Sequence, residues 1–91
     1  MSKYKVVYTK KGLKEKKHAI QAGFKDKIDS LVELLKENPY EEYPSFEKLL
    51  GNMKGAYSRR INRQHRLVYM VYEKEKIVKV ISAWTHYENI N

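Results

Sequence analysis

Residues 57–84, YSRRINRQHRLVYMVYEKEKIVKVISAW, decide the fold that this sequence predicts. The stretch contains runs with the β-branched and aromatic character of strands. These runs cover residues 57–61, 67–72 and 77–84. The breaks between them, around 62–64 and 73–76, are polar and short enough for hairpins. The stretch therefore predicts an antiparallel meander.

Another strand and two helices are predicted before this meander. Residues 4–8, YKVVY, have the composition of a short strand. Helical spacing begins near Lys10, and Gly23 is expected to separate a lysine-rich first helix from a second one. The second helix, Phe24 to Glu37, is expected to stop at Asn38-Pro39, because the residue before proline avoids helical geometry. Its apolar stripe consists of Ile28, Leu31, Val32 and Leu35.

Residues 38–56 contain both prolines and are predicted to be mostly loop. The order of elements is then a strand, two helices and a meander. This order predicts an α+β fold with the N-terminal strand and two helices packed on one face of an antiparallel sheet, the other face being free. A chain of 91 residues holds one hydrophobic core, so residues 1–91 are expected to form a single domain.

The composition restricts the partners and the compartment. The net charge of +8 favours polyanions such as nucleic acid or an acidic protein segment. The absence of cysteine excludes disulfides and thiolate metal sites and suits a reducing cytoplasm. The apolar run near the N-terminus is too short for a signal peptide, and no run has membrane-spanning length. The prediction is a cytoplasmic protein with no membrane partner.

All four arginines lie within residues 57–69, whereas the fifteen lysines lie elsewhere. The guanidinium fork matches two oxygens of a phosphate, while lysine offers only a point charge. The stretch from Lys48 to Tyr72 also lacks any Asp or Glu. Arginines interleaved with tyrosines are typical of surfaces that bind single-stranded nucleic acid. A second interpretation stays open, that of a solvated hairpin whose tyrosines pack the sheet.

Cleavage of RNA without a metal needs a base for the 2′-hydroxyl, a cation for the phosphorane and an acid for the leaving oxygen. Histidine can act as that acid near neutral pH. His86, flanked by Trp84 and Tyr87, is either such an acid or a packed surface histidine. Glu47, the last acid before the acid-free stretch, is the candidate base. No metal-ligand motif or phosphate-binding loop is present.

Two segments carry a resemblance to a known family. GAYSRRINRQHRLVYMV, residues 55–71, is followed by THY at residues 85–87. An SRRI segment, a closely following HRLVY and a C-terminal His-Tyr pair resemble the YoeB/Txe group of RelE-superfamily toxins. The resemblance covers the whole chain in length and element order, and it implies a RelE-like fold.

The resemblance implies an endoribonuclease, an mRNA interferase that cleaves messenger RNA in the ribosomal A site and so inhibits translation. It implies no metal and no other cofactor. The implied partners are the ribosome with its mRNA and a YefM/Axe-type antitoxin, whose acidic tail folds over the site. Operator DNA would be bound only by the toxin–antitoxin complex. Family members are often dimers, so a homodimer is a further expectation.

The resemblance also implies residue roles. Glu47 matches the general base, Arg66 the phosphate-stabilising arginine, His86 the general acid and Tyr87 the tyrosine beside it. The residues expected to contact RNA are Arg59, Arg60, Lys48, Lys54, His65 and Tyr57. The chain departs from the family pattern at Leu50, where members often carry a lysine that Lys48 or Lys54 would replace. It also departs in residues 88–91, since family chains commonly end at the His-Tyr pair.

Arg66 and His86 can share one site only if both side chains lie on the same face of the sheet. Side chains alternate along a strand, which groups Arg66 with Val68 and His86 with Trp84. We therefore predict an odd-length loop after Tyr72, or a bulge.

Two rival functions stay open. A ParE-like inhibitor of DNA gyrase would keep the fold without the acid–base set. A nucleic-acid-binding module would bind RNA or DNA in a salt-sensitive way without cleaving it.

Overall fold

The computed structural model describes residues 2–86 and 88 of this chain. In these residues, two helices cover one sheet of five strands. The predicted α+β class, the first strand and both helices are confirmed. The elements in chain order are β1 Lys5–Tyr8, α1 Lys10–Gln21, α2 Lys25–Glu37, β2 Phe46–Lys48, a 3₁₀ turn Gly51–Met53, β3 Ala56–Arg60, β4 His65–Tyr72 and β5 Ile77–His86.

The strands lie in the order β1-β5-β4-β3-β2. The meander of β3, β4 and β5 is antiparallel, as predicted. The sheet as a whole is mixed rather than antiparallel, because β1 pairs in parallel with β5. The predicted loop 38–56 missed β2, which pairs antiparallel with β3. Three residues are too few to show the alternation by which a strand is recognised in sequence.

Both helices start and stop for local reasons. The Thr9 side chain accepts a hydrogen bond from the Gly12 amide at 2.9 Å and so caps α1. The predicted break at Gly23 is confirmed, and its φ of +93° is a conformation that glycine adopts without a steric penalty. The helix α2 ends at Asn38, directly before Pro39, as predicted.

The two faces of the sheet differ. On the side of the helices, which we call the helix face, Leu67 and Tyr69 of β4 join the main core with Ile28, Leu31 and Leu35 of α2. We call the opposite side the open face.

A smaller apolar cluster covers part of the open face. Buried Leu49, Ala56 and Val68 form it, with Met53 and Met70 packed against them. The open face is therefore partly covered near the 3₁₀ turn. Among the described residues, no helix combines the length and the apolar character needed to cross a bilayer.

Candidate functional site

The open face brings the candidate base and two arginines together. Glu47 pairs with Ser58, and Arg60 pairs with Arg66. Directly paired residues point to the same face, and residues two apart on a strand do so as well. Glu47, Arg60 and Arg66 therefore share the open face. From strand spacing and rise, the Cα atoms of Glu47 and Arg66 are separated by about 10 Å across the sheet and about 7 Å along it.

Glu47 and Arg60 are both available to a ligand. Each is exposed, and neither side chain forms a hydrogen bond or ion pair within the described part of the chain. Arg60 also lines an open cavity of about 490 Å³ together with Lys27 and Tyr43. An exposed guanidinium suits an anionic substrate such as a phosphodiester, and an exposed carboxylate on the same face can accept a proton from it.

Arg66 is the most buried of the three, with 8% of its surface exposed. Its Nη1 donates to the carbonyl oxygens of Asn62 at 2.8 Å and His65 at 3.2 Å, and more weakly to that of Arg63 at 3.4 Å. These carbonyls belong to the β3–β4 turn and the start of β4. They hold the guanidinium in a fixed position at the end of the open face, as a charge-stabilising group requires.

His86 does not share a face with Arg66, although a bulge is present as predicted. Four residues, 73–76, separate the end of β4 from the start of β5. The strand β5 then carries two extra residues, since the register shifts once between Tyr69 and Val68 and once between Val68 and Arg66. One bulge would bring Arg66 and His86 to the same face, but a second bulge reverses this effect. His86 is therefore opposite His65, and the predicted shared face is wrong.

His65 belongs to a ring cluster on the helix face. Its imidazole stacks on the Trp84 ring with centroids 3.8 Å apart and planes 3° apart, and Trp84 in turn contacts Phe24. The His86 ring meets His65 edge-on at 5.6 Å. This packing occupies one ring face of His65, and its predicted contact with RNA stays a prediction. Burial, and next the positive charges of His86 and Arg66, lower the pKa of His65 below 6.5.

Protonation of His65 is expected to destabilise the fold. Because its pKa is lower in the folded chain than in the unfolded chain, the unfolded state binds the proton more readily. The free energy of unfolding should thus be greatest above the unfolded pKa of about 6.5 and should fall as the pH drops below it. Urea denaturation followed by Trp84 fluorescence measures this slope. His65→Phe, which keeps an aromatic ring against Trp84, should show a shallower slope, and an unchanged slope would contradict the prediction.

Arg59 and Tyr57 were predicted to contact RNA, and the structure places both on the helix face. Arg59 is 1% exposed and therefore inaccessible to a phosphate. Tyr57 is half-buried among Tyr40, Phe46 and Tyr69, with ring centroids 5.5 to 6.0 Å away. For these two side chains the packing interpretation of the hairpin is correct, because alternate residues of β3 face the core.

Two further residues predicted to contact RNA, Lys48 and Lys54, lie on either side of the 3₁₀ turn. Lys48 and Lys54 are exposed and line a cavity of about 260 Å³ together with Leu50, whose side chain is 76% exposed. Both lysines thus stand beside the position where the family pattern has a basic residue. Tyr87 lies outside the described residues. In the described part of the chain, no group of three or more His, Cys, Asp or Glu side chains is arranged to hold a metal ion.

Sequence reasoning missed Glu15, which binds the bulged part of β5. Its Oε1 accepts hydrogen bonds from the Ser82 hydroxyl at 2.6 Å and from the amides of Ala83 at 3.0 Å and Trp84 at 3.2 Å. A bulge leaves amides without a strand partner, and a carboxylate from α1 satisfies them here. The available signal was that Glu15 is the one acid in the lysine-rich sequence of α1.

Comparisons with known proteins show the family and the fold of this chain. A family model described as a YoeB-like toxin of bacterial type II toxin–antitoxin systems matches residues 8–87. A toxin YoeB from Synechocystis is 34% identical over 68% of this chain and 70% of its own length. The structure of a YoeB/ParE toxin from Agrobacterium tumefaciens has a TM-score of 0.81 and 32% identity, covering 91% of this chain and 99% of that one. The YoeB of a heterotetrameric YoeB–YefM complex from Staphylococcus aureus has a TM-score of 0.73 and 31% identity, covering 92% and 98%.

Proposed function

Since this chain belongs to the family of YoeB-like toxins of bacterial type II toxin–antitoxin systems, we propose that it is a ribosome-dependent mRNA interferase. In this proposal the toxin enters the ribosomal A site and cleaves the messenger by acid–base chemistry that needs no metal. Translation stops as a result. The observation that carries the proposal is the placement of Glu47, Arg60 and Arg66 on the open face of the sheet.

Each of these side chains has a role in the proposed reaction. The Glu47 carboxylate takes the proton of a 2′-hydroxyl, and the 2′-oxygen attacks the adjacent phosphorus. The fixed guanidinium of Arg66 stabilises the charge that develops on the phosphorane oxygens. Arg60 binds a neighbouring phosphate of the messenger. The 5′-oxygen then leaves with a proton, and the products are a 2′,3′-cyclic phosphate and a 5′-hydroxyl.

The acid that protonates the leaving oxygen is assigned to His86, with Tyr87 beside it. The resemblance carries this assignment, whereas the strand register opposes it by placing His86 with His65 on the helix face. In a side-by-side assay, His86→Ala should abolish cleavage, and cleavage at the wild-type rate would overturn this assignment. Lys48 and Lys54 are proposed to attract the RNA backbone by their charge, although Lys48 pairs with Tyr57 and so points to the helix face.

The proposed partners follow from the family relatives and from charge. The Staphylococcus aureus relatives are known as a YoeB–YefM complex and as a YoeB dimer. A net charge of +8 and the exposed guanidinium of Arg60 suit an acidic antitoxin segment that covers the open face. We propose a YefM-type antitoxin, a homodimer, and binding of operator DNA only as the toxin–antitoxin complex, all in the cytoplasm.

Replacing the base tests the function directly. Glu47→Gln keeps the size of the side chain and removes its ability to accept the 2′-proton, so cleavage should slow about a hundredfold. The assay adds purified toxin to a cell-free translation reaction and maps messenger ends by primer extension. Glu42→Gln, an exposed carboxylate of the preceding loop, is the matched control and should cut like the wild type.

The same assay separates the rival functions. Cuts at A-site codons that fade in Glu47→Gln support the interferase. Intact messenger on stalled ribosomes would contradict cleavage and indicate a binding module that blocks the ribosome. Normal translation, with inhibited supercoiling in a separate gyrase assay, would indicate a ParE-like inhibitor of gyrase instead.

A further inference from the structure

Arg59 lies directly behind the strand that carries Glu47. It pairs with Phe46 across β2 and β3, and its side chain is fully buried on the helix face. Glu47, one residue further along β2, points to the open face. The two side chains therefore project to opposite sides of the same pair of strands, and Arg59 has no access to a bound RNA.

All three guanidinium nitrogens of Arg59 donate hydrogen bonds. Nη1 donates to the carbonyl oxygen of Pro44 at 2.6 Å, and Nη2 donates to those of Pro39 at 3.1 Å and Glu41 at 2.8 Å. Nε donates to the hydroxyl of Tyr69 at 3.1 Å, and this hydroxyl itself donates to the carbonyl of Pro39 at 2.7 Å. Burial raises the pKa of Tyr69, which keeps the hydroxyl protonated for that bond.

These bonds fix the connection between α2 and β2. Residues 38–45 contain no helix or strand, so the backbone carbonyls of this connection have few partners of their own. One planar fork binds three of them, which a lysine ammonium on its flexible stem cannot reproduce. No carboxylate in the described part of the chain pairs with Arg59, while the Phe46 ring lies 4.9 Å from its guanidinium carbon.

The strand that depends on this connection is the shortest of the sheet. β2 has three residues and lies at the edge, where β3 is its one partner among the described strands. A short edge strand frays unless the chain that leads into it is held. A catalytic base on such a strand needs support, because a misplacement of about 1 Å can slow a reaction about a hundredfold.

We propose that Arg59 is a positioning residue for Glu47. Arg59 binds the carbonyls of Pro39, Glu41 and Pro44 from the helix face. In this way it fixes β2, and with β2 the Glu47 carboxylate on the open face. This inference rests on the proposed function, in which Glu47 is the base. It also explains why this arginine is buried away from the open face, although it belongs to the arginine-rich residues 57–69.

The first test compares Arg59→Lys with the wild type in the cleavage assay. The variant keeps the charge and loses the fork, so kcat should fall about tenfold to a hundredfold, with KM for the ribosome unchanged. Arg63→Ala, which removes an exposed arginine side chain of the same hairpin, is the control and should leave both constants unchanged. If Arg59→Lys lowers kcat no more than Arg63→Ala does, the proposal is overturned.

The second test asks whether Arg59 acts through Glu47. In the Glu47→Gln background the base is absent, so Arg59→Lys should cause little further loss of kcat. If the two losses multiply instead, Arg59 acts by another route, such as general stability, and the proposal fails.

The third test does not depend on cleavage. Tyr69→Phe removes only the hydroxyl that links Arg59 to Pro39 and keeps the packed ring. In both Tyr69→Phe and Arg59→Lys, hydrogen exchange at the amides of residues 46–48 should accelerate, while exchange at 78–80 in β5 stays as in the wild type. Unchanged exchange at 46–48 would overturn the proposal even if the toxin cleaves mRNA. If the wild type cleaves no mRNA, the proposed function fails, and this exchange result still decides whether Arg59 holds β2.

Discussion

Arg66→Ala is expected to slow ribosome-dependent cleavage about a thousandfold, the largest loss of activity that the site predicts. The guanidinium is held by carbonyls of Asn62, Arg63 and His65, so it is already in place when charge develops on the phosphorane. A group that acts mainly on the transition state affects kcat more than binding. Ribosome binding, measured by co-sedimentation, should therefore change by only about twofold.

Arg66→Lys separates charge from geometry. Lysine keeps the positive charge but cannot donate to carbonyls and phosphate oxygens with a planar fork, so most of the loss should remain. Single-turnover cleavage of a programmed ribosome measures both variants, with Arg63→Ala as the control. If Arg66→Lys cleaves at the wild-type rate, a point charge is enough and the requirement for a fork at this position is wrong.

Gly12→Ala is expected to lower the free energy of unfolding by about 2 kcal/mol, although alanine usually stabilises a helix by up to about 1 kcal/mol relative to glycine. Gly12 lies where α1 touches β5. A Cβ at this position would stand 2.4 Å from the backbone oxygen of Val80, which cannot rotate away as a side chain can. The helix must therefore move off the strand, and packing between α1 and β5 is lost.

Thermal unfolding followed by circular dichroism measures this effect, and the melting temperature should fall by about 10 °C for a domain of this size. Lys11→Ala, an exposed neighbour on the same helix, should change the stability by less than about 0.5 kcal/mol. A Gly12→Ala protein that is as stable as the wild type would show that α1 does not sit this close to β5.

The sequence was sufficient to predict the secondary structure wherever the deciding interactions are local. The stripe from Ile28 to Leu35 predicted α2, and Gly23 and Pro39 marked its two ends, because helix periodicity and backbone sterics act over a few residues. The strands of the meander followed from alternation and short polar breaks in the same way. The motif residues of the open face, Glu47, Arg60 and Arg66, were also identified from the sequence alone.

The rest depended on how distant segments meet. The parallel pairing of β1 with β5 joins residues far apart in the chain, and no local pattern specifies it. The two bulges of β5 are supported by Glu15 on α1, and they place His86 on the helix face instead of beside Arg66. Arg59 and Arg60 are adjacent and chemically identical, yet strand alternation buries one against a loop and exposes the other to solvent. The sequence by itself determined which side chains were candidates for the site, since side-chain type and local periodicity are written in it. Only the tertiary structure decided the face on which each one lies, because register and burial arise from contacts between segments.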